Sequence, residues 1–121
     1  MTREFRRFDV VLVDFGDNVI DSEQGGIRPA IIIQNDVGNL YSSTTIVMPF
    51  STKIFKNPNQ PTHTLILKGV DKGLKEDSIL LGECLRQISK KRIKKYLGKI
   101  TDPMEKKDIK KVYDANFGEV A

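Results

Sequence analysis

The sequence predicts a single, mainly β domain with a helix laid against it near the C-terminus. Three observations carry this expectation. The first two thirds is a series of short runs rich in Val, Ile, Phe and Thr, each bounded by Gly, Asn, Pro or Asp. The apolar spacing then changes to the helical i, i+3, i+4 pattern. At 121 residues, covering 1–121 as one unit, a second domain would have too little core of its own.

In chain order, "FDVVLVDF" (residues 8–15), "RPAIIIQND" (28–36), "TTIVMPFST" (44–52) and "THTLILK" (62–68) read as strands. "DSILLGECLRQI" (77–88) reads as one longer strand, or as two broken by a bulge at Gly82. "NDVGN" and "KNPNQPT" are turn chemistry. Residues 10–13 and 30–33 are apolar at consecutive positions, so both faces of those strands need cover, from a closed barrel or from a second chain. "SKKRIKKYLG" predicts a short helix capped by Ser89, with Ile93, Tyr96 and Leu97 on one face and Gly98 at its end. The second helix is better marked. Asp102 and Glu105 form a capping-box variant, Pro103 suits the first helical position and Gly118 the exit. Its stripe of Ile109, Val112, Tyr113 and Phe117 reads as core packing, with contact to a partner as the alternative. A small barrel of the SH3-like kind fits this length and strand count.

Composition narrows the function classes. Hydrophobic residues make up 39% and charged residues 30%, as in a globular protein. No apolar run approaches the ~20 residues of a membrane span, and no signal-peptide pattern opens the chain. Cys84 is the single cysteine, which excludes an internal disulfide and suits a cytoplasmic protein. Residues 86–111 hold eleven Lys or Arg against three acids, whereas residues 1–85 hold nine bases and eleven acids. That asymmetry suits a polyanionic or acidic partner, or a solvated lysine-rich helix face.

The residues also limit the chemistry. One histidine, His63, and one cysteine leave no zinc spacing. Asp14, Asp17, Asp21 and Glu23 follow no familiar Mg²⁺ ligand pattern. No nucleophile elbow, phosphate loop or dinucleotide fingerprint occurs. The expectation is therefore chemistry without cofactor or metal, done by a few charged and hydroxyl groups. RNA brings its own nucleophile, the 2′-OH beside the phosphate. A protein need only align it, manage a proton at each end and stabilise charge on phosphorus. In "SEQGGIRPAII" (22–32) the glycines suit a bent or closely approached backbone, and Arg28 stands where the loop stiffens into a strand. An arginine fork binds two phosphate oxygens at once and keeps its proton. Ser51 and Thr52, at the end of "VMPFST", are candidate hydroxyl donors. The competing structural readings are an Arg28 ion pair with Glu23 or an aspartate, and a strand-end cap for Ser51 and Thr52.

"FDVVLVDF", "SEQGGIRPAIIIQND", "TTIVMPFST" and "LRQISKKRI" together resemble the MazF/PemK family of toxin endoribonucleases, over residues 8–118. The resemblance implies the barrel fold shared with CcdB-like toxins, a homodimer, and metal-independent cleavage of single-stranded RNA to 2′,3′-cyclic phosphate and 5′-OH ends. It also implies a cognate antitoxin that fills the RNA groove and joins the toxin in binding DNA. It puts the catalytic roles on Arg28 and on Ser51 or Thr52. The chain departs from the family at five positions: Ser51 for threonine, Cys84 for glutamine, Gln87 for threonine, and Leu81 and Ser22 where the PemK-like branch has Arg and His. The RNA-binding set so implied is Ser22, Glu23, Gln24, Gly25, Lys53, Lys56, His63, Glu83, Arg86 and Gln87, with a plain hydrogen-bonded turn as the competing reading for His63. The alternatives to the ribonuclease are a gyrase-poisoning toxin of the same superfamily and a non-catalytic RNA- or protein-binding module.

Overall fold

A computed structural model describes residues 4–17, 25–54 and 59–119. Its centre is β1 (Asp9–Asp14), whose Val10, Val11 and Val13 are fully buried. A strand apolar on both faces needs a neighbour at each edge and cover above and below. β1 is flanked by antiparallel β2 (Ile27–Ile32) on one side and β7 (Ile93–Lys99) on the other. β2 pairs with β3 (Thr44–Ser51), with Ala30 opposite Pro49 and Ile32 opposite Val47. β3 is long enough to serve two partners. Its first half pairs with β6 (Arg86–Ser89) and its end with β5 (Ser78–Leu81), which also pairs with β4 (His63–Ile66).

The predicted 77–88 strand is thus two strands, parted by a 3₁₀ turn at Gly82–Cys84. Gly82 is required there, because a Cβ would lie 2.3 Å from Val112 Cγ1 and 2.7 Å from the Thr62 carbonyl oxygen. The sheet is curled, yet among the described residues β4 and β7 stay as its two ends and no closed barrel forms. Cover for both faces nonetheless comes from within one chain. One cluster gathers Val11, Val13, Ala30, Ile32, Val47 and Ile88 inside the curl. The other gathers Val10, Ile31, Met48 and Leu80 with Ile109 and Val112 of the C-terminal helix.

Two helical expectations change. Residues 89–98 form no helix. Ser89 does cap, its Oγ accepting from the Lys91 N–H at 3.2 Å, but only a 3₁₀ turn follows before β7 begins. Tertiary demand outweighs local propensity here, since without β7 the outer edge of β1 would be unpaired. The stretch read as a turn after β2 is a short helix, α1 (Asp36–Tyr41), capped by Asn35. Its Asn39 is buried and bonded to Gln34 and Thr45. The C-terminal helix, α2 (Pro103–Ala115), starts as predicted, with Asp102 accepting from the Glu105 N–H at 3.1 Å. Only Ile109 and Val112 of its stripe are buried. Tyr113 and Phe117 are 48% and 81% exposed, and Phe117 lies past the helix end at Ala115.

Candidate active site

The β1–β2 connection is built on two glycines in the left-handed region, Gly16 (φ 84) and Gly26 (φ 71). Their backbones close the stem: the Gly26 N–H donates to the Gly16 carbonyl at 2.8 Å, and the Phe15 N–H donates to the Gly26 carbonyl at 2.9 Å. Only residues without a Cβ take such backbone readily. The glycines before Arg28 therefore shape the loop from which the arginine emerges.

Arg28 is half-buried, opposite Val13 in β1, and its Nε donates to the Gly25 carbonyl at 3.0 Å. That contact fixes the guanidinium against its own loop. Extending the β2–β3 register two residues beyond the Ala30–Pro49 pair brings Arg28 level with Ser51. Both continue the strand faces that carry Ala30, Ile32 and Val47, so they stand at the rim of the inner cluster. Arg86 continues the face of Ile88 in the same way. Its Nη1 donates to the Phe15 carbonyl at 3.2 Å, and the guanidinium stands 5.7 Å from the Phe15 ring centroid. Arg92 Nη1 donates to the Asp14 carbonyl at 3.2 Å. Three arginines thus hold carbonyls of one loop stem. Sequence reasoning missed Arg92, which lay inside a lysine-rich run with nothing to single it out.

The hydroxyl pair divides. Ser51 is half-buried and its Oγ accepts from the Lys53 N–H at 3.2 Å; Thr52 and Lys53 are exposed. Thr52 lies one residue past the end of β3, in a bend.

A second group forms around the 3₁₀ turn. His63, its side chain 2% exposed, donates from Nε2 to Glu83 Oε1 at 2.6 Å. Thr62 Oγ1 donates to Glu83 Oε2 at 3.0 Å, and Gln60 Nε2 donates to that hydroxyl at 2.8 Å. Burial on its own would raise the Glu83 carboxyl, but the hydrogen bonds from His63, its own backbone and Thr62 outweigh it and hold it below the ordinary range. Glu83 is therefore a fixed acceptor, ionised at neutral pH. Thr62 and Gln60 joined this group without any sequence signal beyond their closeness to His63. Gln87 is not brought to Arg28: it is exposed, and its Nε2 donates to Thr44 Oγ1 at 2.9 Å near the other end of β3. Gly25 contributes its carbonyl to Arg28. Ser22, Glu23, Gln24 and Lys56 lie outside the described residues, as does the Glu23 pairing considered for Arg28.

An arginine and a hydroxyl at the rim of a small curled sheet, on a glycine-built loop, define a class. A family described as PemK-like, MazF-like toxin of type II toxin–antitoxin system matches residues 6–115, and the chain belongs to it. Endoribonuclease MazF of Staphylococcus saprophyticus is 43% identical over 113 residues, spanning 93% of this chain and 91% of its own length. Among solved structures, MazF from Deinococcus radiodurans superposes with a TM-score of 0.77 at 14% identity, covering 98% of this chain and 100% of its own. A mycobacterial endoribonuclease in complex with its cognate antitoxin gives 0.71 at 16% identity, covering 96% and 95%. These two likenesses concern the fold.

Proposed function

We propose that this chain is a toxin endoribonuclease that cleaves single-stranded RNA with the substrate's own 2′-OH as nucleophile. In that reaction the 2′-OH gives up its proton and its oxygen bonds to phosphorus. The bond from phosphorus to the 5′ oxygen then breaks, and that oxygen takes up a proton. The ends left are a 2′,3′-cyclic phosphate and a 5′-OH. Arg28 binds the non-bridging oxygens and stabilises the added charge, while Ser51 donates one further hydrogen bond. DNA lacks the 2′-OH and is left intact. No step calls for a metal, since the nucleophile is part of the substrate.

The observation that supports this reading best is the β2–β3 register, whose extension two residues past the Ala30–Pro49 pair puts Arg28 and Ser51 level on neighbouring strands. The relatives extend it. The 43% identical protein is named an endoribonuclease, and a structural neighbour was solved with its antitoxin. An antitoxin partner, a homodimeric state and a cytoplasmic site of action follow for this chain as part of the same proposal. Among the described residues no helix is long and apolar enough to cross a membrane.

The test is incubation of a long single-stranded RNA with the protein in EDTA, beside an Arg28→Ala variant. Wild type is expected to cut, and the variant to lose at least about 100- to 1000-fold in rate, the usual cost of one oxyanion donor. Equal cutting by both, or none by wild type, would overturn the proposal.

A further inference from the structure

We propose that the outer edge formed by the 3₁₀ turn Lys90–Arg92 and β7 is an RNA-backbone track that receives the strand leaving the Arg28 site. This rests on the endoribonuclease reading above. Residues 86–100 contain seven Lys or Arg and no acid. The structure does not fold them into one lysine-rich helix but strings them along the free edge of the sheet. Lys91, Lys94, Lys95 and Lys99 are exposed, and none of them takes part in an ion pair among the described residues.

The edge is continuous with the candidate site. Ile93 in β7 and Arg28 in β2 both stand opposite Val13 of β1, so the three form one row across the sheet. Two strand spacings separate Arg28 from the track, about 10 Å. Along β7 the lysines then extend over roughly 20 Å at about 3.3 Å per residue.

The chemistry of the edge selects its partner. No exposed large hydrophobic side chain falls within residues 86–100 among those described. An amphipathic acidic protein segment would find charge there but nothing to anchor its apolar side. A phosphodiester chain needs only the charge, and each phosphate neutralised releases counterions.

The test uses RNA made non-cleavable by a 2′-deoxyribose at the scissile position, both as a long strand and as a short oligonucleotide limited to the cleaved sequence. The triple variant Lys91→Glu, Lys94→Glu, Lys95→Glu is expected to bind the long strand about tenfold more weakly or worse. Its log–log salt slope should be shallower by about 2, at roughly 0.7 per lost phosphate contact. Binding of the short oligonucleotide, and cleavage of its all-ribose counterpart, should match wild type, and the Lys→Arg triple variant should retain long-strand affinity. Long-strand affinity and slope equal to wild type would overturn the track while wild-type cleavage still stood. Polyglutamate binding as tightly as RNA, and lost in the charge-reversed variant, would overturn RNA as the occupant. Failure of wild type to cut any RNA would instead overturn the endoribonuclease reading and this one with it.

Discussion

Ser51 carries the sharpest question left at single residues, because the hydroxyl it offers is also offered one position on by Thr52. Strand position separates them: Ser51 shares the face that carries Val47, the same face on which Arg28 lies with Ala30 and Ile32, whereas Thr52 lies past the end of β3. A serine in this role lacks the methyl that restricts a threonine rotamer, so its hydroxyl is held less firmly. Here the Lys53 N–H at 3.2 Å replaces part of that restraint. Ser51→Ala is therefore expected to lower kcat by about 100-fold, whereas Thr52→Ala stays within a few-fold of wild type. Single-turnover cleavage of a labelled oligonucleotide measures both, and the reverse ranking would give the hydroxyl role to Thr52. Ser51→Thr should retain activity.

Among the elements, the 3₁₀ turn between β5 and β6 does two jobs. It drops the chain beneath α2, and it presents Glu83 to His63 and Thr62. Both depend on Gly82, which lies against Val112 and the Thr62 carbonyl and whose own carbonyl accepts from Asn116 Nδ2 at 2.9 Å. Gly82→Ala is expected to cost about 1–3 kcal/mol by overpacking, read as a lowered thermal midpoint. It should also disturb the Glu83 cluster, visible as a changed His63 ring signal in NMR. An unchanged midpoint would mean that the backbone there yields more easily than its contacts imply. The break at Gly82 was legible in the sequence because a glycine interrupted an apolar run, though the structure makes it a 3₁₀ turn rather than a bulge, and α2 was legible because Asp102, Pro103 and Glu105 act locally. β7 was not. Ile93, Tyr96 and Leu97 fit helical spacing, and what makes them a strand is the unpaired edge of β1, far away in sequence. α1 was hidden for a related reason: "NDVGN" is turn chemistry until the buried Asn39 finds Gln34 and Thr45. Of the candidate site, the strand-end placement of Arg28 and Ser51 was legible in the sequence. Arg92 and Thr62 were not, since their contacts join segments distant along the chain or depend on a fold-level approach.

Across the whole molecule, the helix-sealed core and the candidate site occupy opposite ends of the same strands. Asp14, Arg28 and Ser51 lie at one end of β1, β2 and β3. At the other, Phe8, Ile33 and Ile46 line a groove together with Ile109 of α2. Ile109 is 2% exposed and belongs to the cluster that the helix seals. Truncating it removes apolar burial and leaves a cavity under α2, at a cost of about 2–5 kcal/mol. Arg28 and Ser51 lie at the opposite ends of β2 and β3 from the groove that Ile109 lines. Ile109→Ala is accordingly expected to lower the unfolding midpoint while leaving kcat for a short RNA within about twofold at temperatures where the variant stays folded. Arg28→Ala should do the opposite, with activity lost and the midpoint nearly kept. Thermal denaturation and cleavage rates measured on the same two preparations decide the matter. If Ile109→Ala lowered kcat in proportion to its loss of stability, the two ends of the sheet would be coupled, and the separation of scaffold from site argued from these strands would be wrong.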